Sequence, residues 1–172
     1  MDEPVTFAMF AAHQRLGSDA SEQAVIEGYI VTAREWVEDH TGHILAQREV
    51  VDHANEFGPR LKLSKRPVVE VVSIDYIDGA GASIVYAESD IRFDGRFSYV
   101  HAAPAGWPSG YRAGSITVRY LAGFAPIEVP QRFIMAILVL AADLYRNRSG
   151  GFSPDAERAA RGLLRSFRNH TL

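Results

Sequence analysis

The hydrophobic period of this 172-residue chain changes twice, and those two changes constrain the fold more than any other feature. Apolar residues recur every three or four positions from about Thr6 to His40, which is the spacing of an amphipathic helix. From Ile44 to Leu121 they alternate or form β-branched runs, as in strands, and helical spacing returns at Gln131. The sequence therefore predicts an α+β fold, with a helical core of about four helices and an antiparallel β lobe inserted between helices 2 and 3.

The predicted organisation is a single domain over residues 1–172. Its helical parts are 1–42 and 126–172, and its β-rich insertion is 43–125. A chain of this length most often folds as one compact unit. Periodicity and capping signals together place the helices near residues 6–16, 21–41, 131–147 and 154–167.

Local signals mark where these helices begin and end. Gly42 is expected to end the second helix, because glycine readily adopts the left-handed conformation of a helix C-cap. Asp19 followed by Glu22 has the pattern of a capping box before that helix. Ser153 and Pro154 are expected to occupy the N-cap and the first position of the fourth helix.

Helices 2 and 3 carry the longest apolar stripes in the chain and are expected to pack against each other. The two sets predicted to meet are Ile26, Ile30, Ala33 and Val37 on one side, and Ile134, Ile137, Leu138 and Ala141 on the other.

Composition excludes several classes of site. The chain has no cysteine, so disulfides, thiolate zinc sites and cysteine nucleophiles are absent. The acidic N-terminus is unlike a signal peptide, and the apolar stretch from Phe133 to Leu144 is too short to span a bilayer, so no membrane role is expected. The net charge of −3 is uneven, because residues 146–172 hold six arginines against two acidic residues, a net of +4. This asymmetry favours an acidic partner for the C-terminal end.

Few residues suggest a chemical site, so no catalytic, cofactor or metal site is predicted. His40 and His43 flank Gly42, where a helix end is a simpler explanation than a metal site. Gly79 and Gly81 lack the third glycine and the strand–turn–helix setting of a phosphate loop, which favours a hairpin turn. A carboxylate cluster for acid–base or metal chemistry has four candidates, although aspartate is common in turns: Asp75, Asp78, Asp90 and Asp94.

The last predicted helix is more informative. Its arginines are spaced three, four and three apart and so share one face, while apolar side chains including Leu164 and Phe167 occupy the other side. One interpretation is a solvated face on a packed helix. The other is a docking helix that inserts its apolar side into a partner and pairs its arginines with acidic groups. The candidate docking residues are Arg158, Arg161, Arg165, Arg168, Leu164 and Phe167.

Several segments, in order, resemble a known family. The segments are 24–42 (with Ala33-Arg34, Val37-Glu38 and Thr41-Gly42), 61–79, 118–124, Val129-Pro130 and 136–148 (ending Leu144-Tyr145-Arg146-Asn147-Arg148). Their sequence and spacing are similar to those of the head–tail connector (adaptor) proteins of tailed phages, including prophage and gene transfer agent members. The resemblance covers about Thr6 to Phe167. Val68 replaces a proline of the family pattern.

The resemblance implies a structural protein without an enzymatic activity or cofactor. It implies a ring of about a dozen subunits beneath the portal, joined by heterologous contacts. Such a ring extends the channel through which DNA passes without sequence-specific binding, and it receives the stopper or tail-completion protein. The implied location is the head–tail junction of a virion or virus-like particle, with the host cytoplasm as the place of assembly.

A function of another class stays open. The β lobe is a candidate small enzyme or ligand-binding domain, with a pocket lined by aromatic side chains of the loops and strands. The candidates for that lining are Trp107, Tyr111 and Tyr99.

Overall fold

The structure, a computed structural model, describes residues 3–16, 21–86, 91–94, 98–102, 106–148 and 150–167. The predicted order of elements is confirmed. The helices are α1 (Phe7–Gln14), α2 (Gln23–Thr41), α3 (Gln131–Asn147) and α4 (Pro154–Leu163), with short 3-10 turns at Pro126–Glu128 and Arg165–Phe167. The strands are β1 (Arg48–Ala54), β2 (Leu61–Lys62), β3 (Val68–Ile77), β4 (Ser83–Tyr86), β5 (Ile91–Asp94), β6 (Tyr99–Ala102) and β7 (Ile116–Ala122).

The chain divides into two compact units. One unit contains residues 1–46 and 124–172 and the other contains residues 47–123; within the described ranges, the four helices belong to the first and the seven strands to the second. The predicted α+β class is confirmed, with the strands inserted between α2 and α3. That the whole chain acts as one domain stays a prediction.

The core of the helical unit lies between α2 and α3. The side chains predicted to meet, from Ile26 to Val37 on α2 and from Ile134 to Ala141 on α3, are buried in one apolar cluster. Phe10 of α1 and Leu164, just after α4, belong to the same cluster. The predicted pairing of the two stripes is therefore confirmed.

A buried ion network closes this core near the start of the chain. Arg34 donates from Nε to both carboxylate oxygens of Glu3 (3.1 and 2.9 Å) and from Nη1 to Glu38 Oε2 (2.9 Å). Glu38 Oε1 in turn accepts the backbone N–H of Leu45 at 2.7 Å. Because Arg34 and Glu38 are both buried, the network fixes the segment before α1 and the segment after Gly42 to α2.

The helix ends differ slightly from the sequence prediction. Helix α1 ends at Gln14 because Arg15 adopts a left-handed conformation (φ 55°), and Asp19 of the predicted capping box lies outside the described residues. Glu22 is the N-cap of α2 and makes no side-chain capping bond, so its assignment as a capping-box residue was wrong. Gly42 ends α2 as predicted, with φ 70°.

The carboxylate of Glu22 has a different function, which joins α2 to α3. It accepts a hydrogen bond from the Tyr145 hydroxyl (2.7 Å) and pairs with Arg148. The hydrogen bond to Glu22 raises the pKa of the Tyr145 phenol, and the same carboxylate raises the pKa of Arg148. Since Glu22 precedes α2 and Tyr145 lies near the end of α3, the two helices run antiparallel.

The β unit contains two antiparallel sheets, with strand orders β1-β7-β3-β4 and β2-β6-β5. Alternate side chains of the central strand β7 are buried, from Ile116 through Tyr120 to Ala122. The β3–β4 turn is the predicted hairpin turn, because Asp78 Oδ1 accepts the N–H groups of Ala80 and Ala82, and Gly81 has φ 89°.

Tyr120 is the centre of a polar network inside this unit. Its hydroxyl donates to Asp52 Oδ2 (2.9 Å) and accepts the backbone N–H of Lys65 (3.1 Å). Asp52 also accepts the N–H and hydroxyl of Ser64, at 2.6 and 2.7 Å. Burial raises the pKa of the Tyr120 phenol to about 12.

Candidate docking surface on the C-terminal helix

The start of α4 is fixed by α3. Ser153 is the N-cap and Pro154 the first helical residue, as predicted, and the Ser153 hydroxyl accepts the N–H of Ala156 at 3.3 Å. Asp143, the one acidic residue of the apolar stretch in α3, accepts both the N–H (2.7 Å) and the hydroxyl (2.8 Å) of Ser153. These hydrogen bonds attach the first turn of α4 to α3, and they therefore fix the direction in which α4 runs.

The apolar side of α4 is occupied by the helical unit itself. Ala156, Ala160 and Leu164, spaced four apart, are all buried. The Phe167 ring lies 4.5 Å from the Phe133 ring and 5.9 Å from the His43 ring, measured between centroids. Leu164 is therefore a core residue, and Phe167 is partly buried against the same core. That these two side chains insert into a partner stays a prediction.

The arginines lie on the opposite, exposed side. Arg158 is 79% exposed and donates to Asp155 at 2.9 Å, and Arg161 is 55% exposed and donates to Glu157 at 2.8 Å. Arg165 is exposed and forms no ion pair with the described residues. Arg158, Arg161 and Arg165 are called the arginine surface below. Arg168, the fourth predicted member, lies outside the described residues.

Arg161 also makes a contact between α4 and α2. Its guanidinium carbon lies 5.8 Å from the centroid of the Trp36 ring, within the range of a cation–π contact. Trp36 itself makes an edge contact with Phe152, just before α4, at 6.1 Å. Helix α4 thus lies on the flank of α2 that carries Trp36.

A second surface feature was missed by the sequence analysis. A groove of about 550 Å³ lies along α1 and α2, with two carboxylates and an apolar floor. This α1–α2 groove is lined by Glu3, Val5, Thr6, Phe7, Glu27, Ile30 and Val31. No periodicity signal reveals it, because residues 3–6 precede α1 and only tertiary packing brings them to α2.

The candidate aromatic pocket of the β unit does not form from the three predicted residues. The rings of Trp107 and Tyr111 both pack on Phe57, with centroid distances of 4.9 Å in each case. Tyr99 takes no part in that cluster and instead stacks beneath the Arg60 guanidinium at 3.9 Å. Among the described residues, Trp107 and Tyr111 thus share one aromatic cluster, whereas Tyr99 makes a separate contact.

The other candidates from the sequence have structural partners. His43 is buried between the rings of Phe124 and Phe133, and His40 stacks on Trp36 at 5.0 Å. Asp75 pairs with Arg119 across the sheet at 2.8 Å, and Asp78 binds the hairpin turn described above. Asp90 and the side chain of Asp94 lie outside what the structure describes. In the described ranges, no three histidine or acidic side chains are grouped to hold a metal ion, and no helix is long and apolar enough to cross a membrane.

Comparison with known proteins gives structural matches only. No protein-family model and no curated protein matches the chain. A chain from the neck of an empty gene transfer agent (GTA) particle, computed with C6 symmetry, superposes with a TM-score of 0.82 at 23% identity, over 98% of this chain and 91% of that one. A chain from the neck of a native GTA particle, computed with C12 symmetry, gives 0.77 at 22% identity, over 96% and 88%.

A third solved structure, the virion of a native gene transfer agent particle, contains a chain with a TM-score of 0.76 at 23% identity, over 98% of this chain and 91% of that one. These matches extend over nearly the full length of both chains. The resemblance to particle connector proteins is thus confirmed for the fold: this chain has the fold of a gene-transfer-agent neck chain.

Proposed function

We propose that this protein is a structural neck subunit, a head–tail connector of a virus or virus-like particle. The observation that carries the proposal is the TM-score of 0.82 to a GTA neck chain over 98% of the present chain. A local similarity would support only a shared motif, whereas a match over both units supports a shared architecture. Fold alone does not fix function, so the argument also needs surface features that suit assembly.

The arginine surface is one such feature. Its three side chains are exposed and rigidly presented, because Ser153 and Leu164 hold the two ends of α4 on the helical unit. Arginine pairs with carboxylates through a planar set of donors and suits protein interfaces. We infer that this surface contacts an acidic protein partner in the particle.

The finer assignment is a ring of about twelve copies, in keeping with the C12 symmetry applied to one matching neck. The ring would lie beneath the portal, bind the stopper or tail-completion protein on its other side and enclose the DNA channel. An acidic body suits such a channel, because exposed carboxylates repel phosphate and do not retain DNA. The role is assembly in the host cytoplasm and sealing in the finished particle, without catalysis.

The test is reconstitution with the portal protein of the same particle. Purified protein is analysed alone, at low and high concentration, by size-exclusion chromatography with light scattering. It is then mixed with portal and imaged by negative-stain microscopy. We expect rings on one face of the portal. A protein that stays monomeric alone and never binds the portal contradicts the proposal.

A further inference from the structure

The arginine surface and the α1–α2 groove lie on opposite flanks of α2. Trp36, beside Arg161, and Glu27, in the groove, are nine positions apart, which is about two and a half helical turns. Their side chains therefore point in opposite directions from the helix axis. Every copy of the protein carries one feature on each side, the arrangement that a heterologous contact between identical subunits requires.

The two features are complementary in charge. The groove lining contains the carboxylates of Glu3 and Glu27, and among the described residues it contains no cation. Glu3 also binds Arg34, but that arginine is shared with Glu38, so carboxylates outnumber cations in this region. Arg165 has no ion-pair partner among the described residues, and the ion pairs of Arg158 and Arg161 lie at the surface of the protein. Exposed pairs of this kind are weak and exchange readily for others.

The two features also match in shape and polarity. The apolar part of the groove lining is Val5, Phe7, Ile30 and Val31, and its volume of about 550 Å³ is in the range of ligand-binding clefts in proteins. Arginine has a long apolar stem beneath its charged group, so it can cover such a floor while its guanidinium reaches the carboxylates at the rim.

From these observations we propose that the arginine surface of one copy docks into the α1–α2 groove of the next copy. This inference rests on the proposed ring function and deepens it by naming a second copy of the chain as the acidic partner. A contact between two different surfaces passes from each copy to the next, and it closes a ring of equivalent subunits when the rotation between copies divides a full turn evenly.

The chain offers a clean cross-linking test because it has no native cysteine. One preparation carries Val31→Cys in the groove and another carries Arg158→Cys in the arginine surface. They are mixed at high concentration under mild oxidation. An interchain disulfide requires Cα atoms within about 7 Å, so it reports a close contact. The control pairs Val31→Cys with Val85→Cys, an exposed residue of the β unit.

We expect the groove–arginine pair to form disulfide-linked heterodimers several-fold faster than the control pair. Adding Arg161→Glu and Arg165→Glu to the Arg158→Cys chain should slow that cross-linking about tenfold, which corresponds to about 1.4 kcal/mol of lost association. Adding Glu27→Arg to the Val31→Cys chain should then restore much of the rate. Glu3 is left unchanged because it binds Arg34. Circular dichroism confirms that each variant is folded.

A yield no higher than the control overturns this contact, and so does a charge reversal that Glu27→Arg does not rescue. Neither result alone decides the neck role. If the same protein still forms rings on the portal, the neck proposal stands and the arginine surface binds another protein. If rings are absent as well, both proposals fail.

Discussion

Two arginine–glutamate pairs of the helical unit have nearly the same geometry and very different surroundings. Arg34 and Glu38 are four residues apart on α2 with an N–O distance of 2.9 Å, and Glu157 and Arg161 are four apart on α4 at 2.8 Å. The first pair is buried, with side chains 6% and 4% exposed, whereas the second is 55% and 32% exposed. Burial therefore decides how much each pair contributes to the stability of the fold.

A buried pair is costly to break, because the partner left behind is an uncompensated charge away from water. An exposed pair contributes little to stability, since water and salt screen both groups. The same chemistry thus serves two purposes in one unit: Arg34 holds the fold together, while Arg161 remains available to an outside partner. Substitutions at buried sites should therefore change the free energy of unfolding more than substitutions at exposed sites.

Replacing Arg34 by alanine should lower the free energy of unfolding by about 3–5 kcal/mol, because Glu38 stays buried without its cation. Chemical denaturation monitored by circular dichroism measures the loss. The matched control is Arg158→Ala, which removes an exposed member of the same type of pair. Equal losses in the two variants would contradict the distinction drawn here.

The Tyr120 network is the corresponding buried site in the β unit. The folded pKa of about 12 lies above the ordinary value of 10, so the folded state favours the neutral phenol. The stabilisation is complete below about pH 10 and is lost as the pH rises from 10 towards 12, with a loss on the order of 2 kcal/mol. Denaturation at several alkaline pH values measures it, with Tyr120→Phe as the control. A variant with the same pH dependence as the native protein would contradict the assignment.

Replacing Ser153 by alanine should cost about 1 kcal/mol, because the N-cap of α4 loses its oxygen and Asp143 loses a donor. The expected loss of unfolding free energy lies between that for the buried Arg34 and that for the exposed arginines, because the Ser153 site is partly buried. Hydrogen exchange of α4 amides should rise more than that of α3 amides. An unchanged exchange rate in α4 would show that the Ala156–Leu164 packing alone positions the helix.

Changing Arg161 and Arg165 to glutamate should alter the unfolding free energy by less than about 1 kcal/mol, because both side chains are exposed. The variant should nevertheless abolish joining of heads to tails, counted as infectious or transducing particles. Normal particle numbers with a normal fold would mean that the arginines form only a solvated face.

The apolar period predicted the fold class and most of the elements. The stripes of α2 and α3, the strand over Val68–Ile77 and the caps at Gly42 and Ser153 all lie where local pattern placed them. These features depend on residues within a few positions of each other, so a single sequence contains the information. Glu22 shows the limit of such signals, because the capping-box pattern placed it at the third helical position, three residues away from the N-cap position that it occupies.

The candidate site was predicted in part. Arg158 and Arg161 on α4, and Arg165 in the 3-10 turn just after it, are exposed, as their spacing indicated. The sequence left the other side of α4 open between two interpretations, because a stripe of alanine and leucine has the same pattern whether it faces its own core or a partner. Only the position of α3 resolves this, since it buries Ala160 and Leu164 within the chain.

The sequence by itself determined the order of helices and strands, the face on which each apolar stripe lies and the basic character of the C-terminal end. The tertiary structure decided which charges are buried and which surfaces are free. Arg34 and Arg161 look alike in the sequence, because each is an arginine in a helix that contains several charged residues. Their environments differ because burial depends on segments distant in the chain, such as Glu3 and Leu45 around Arg34.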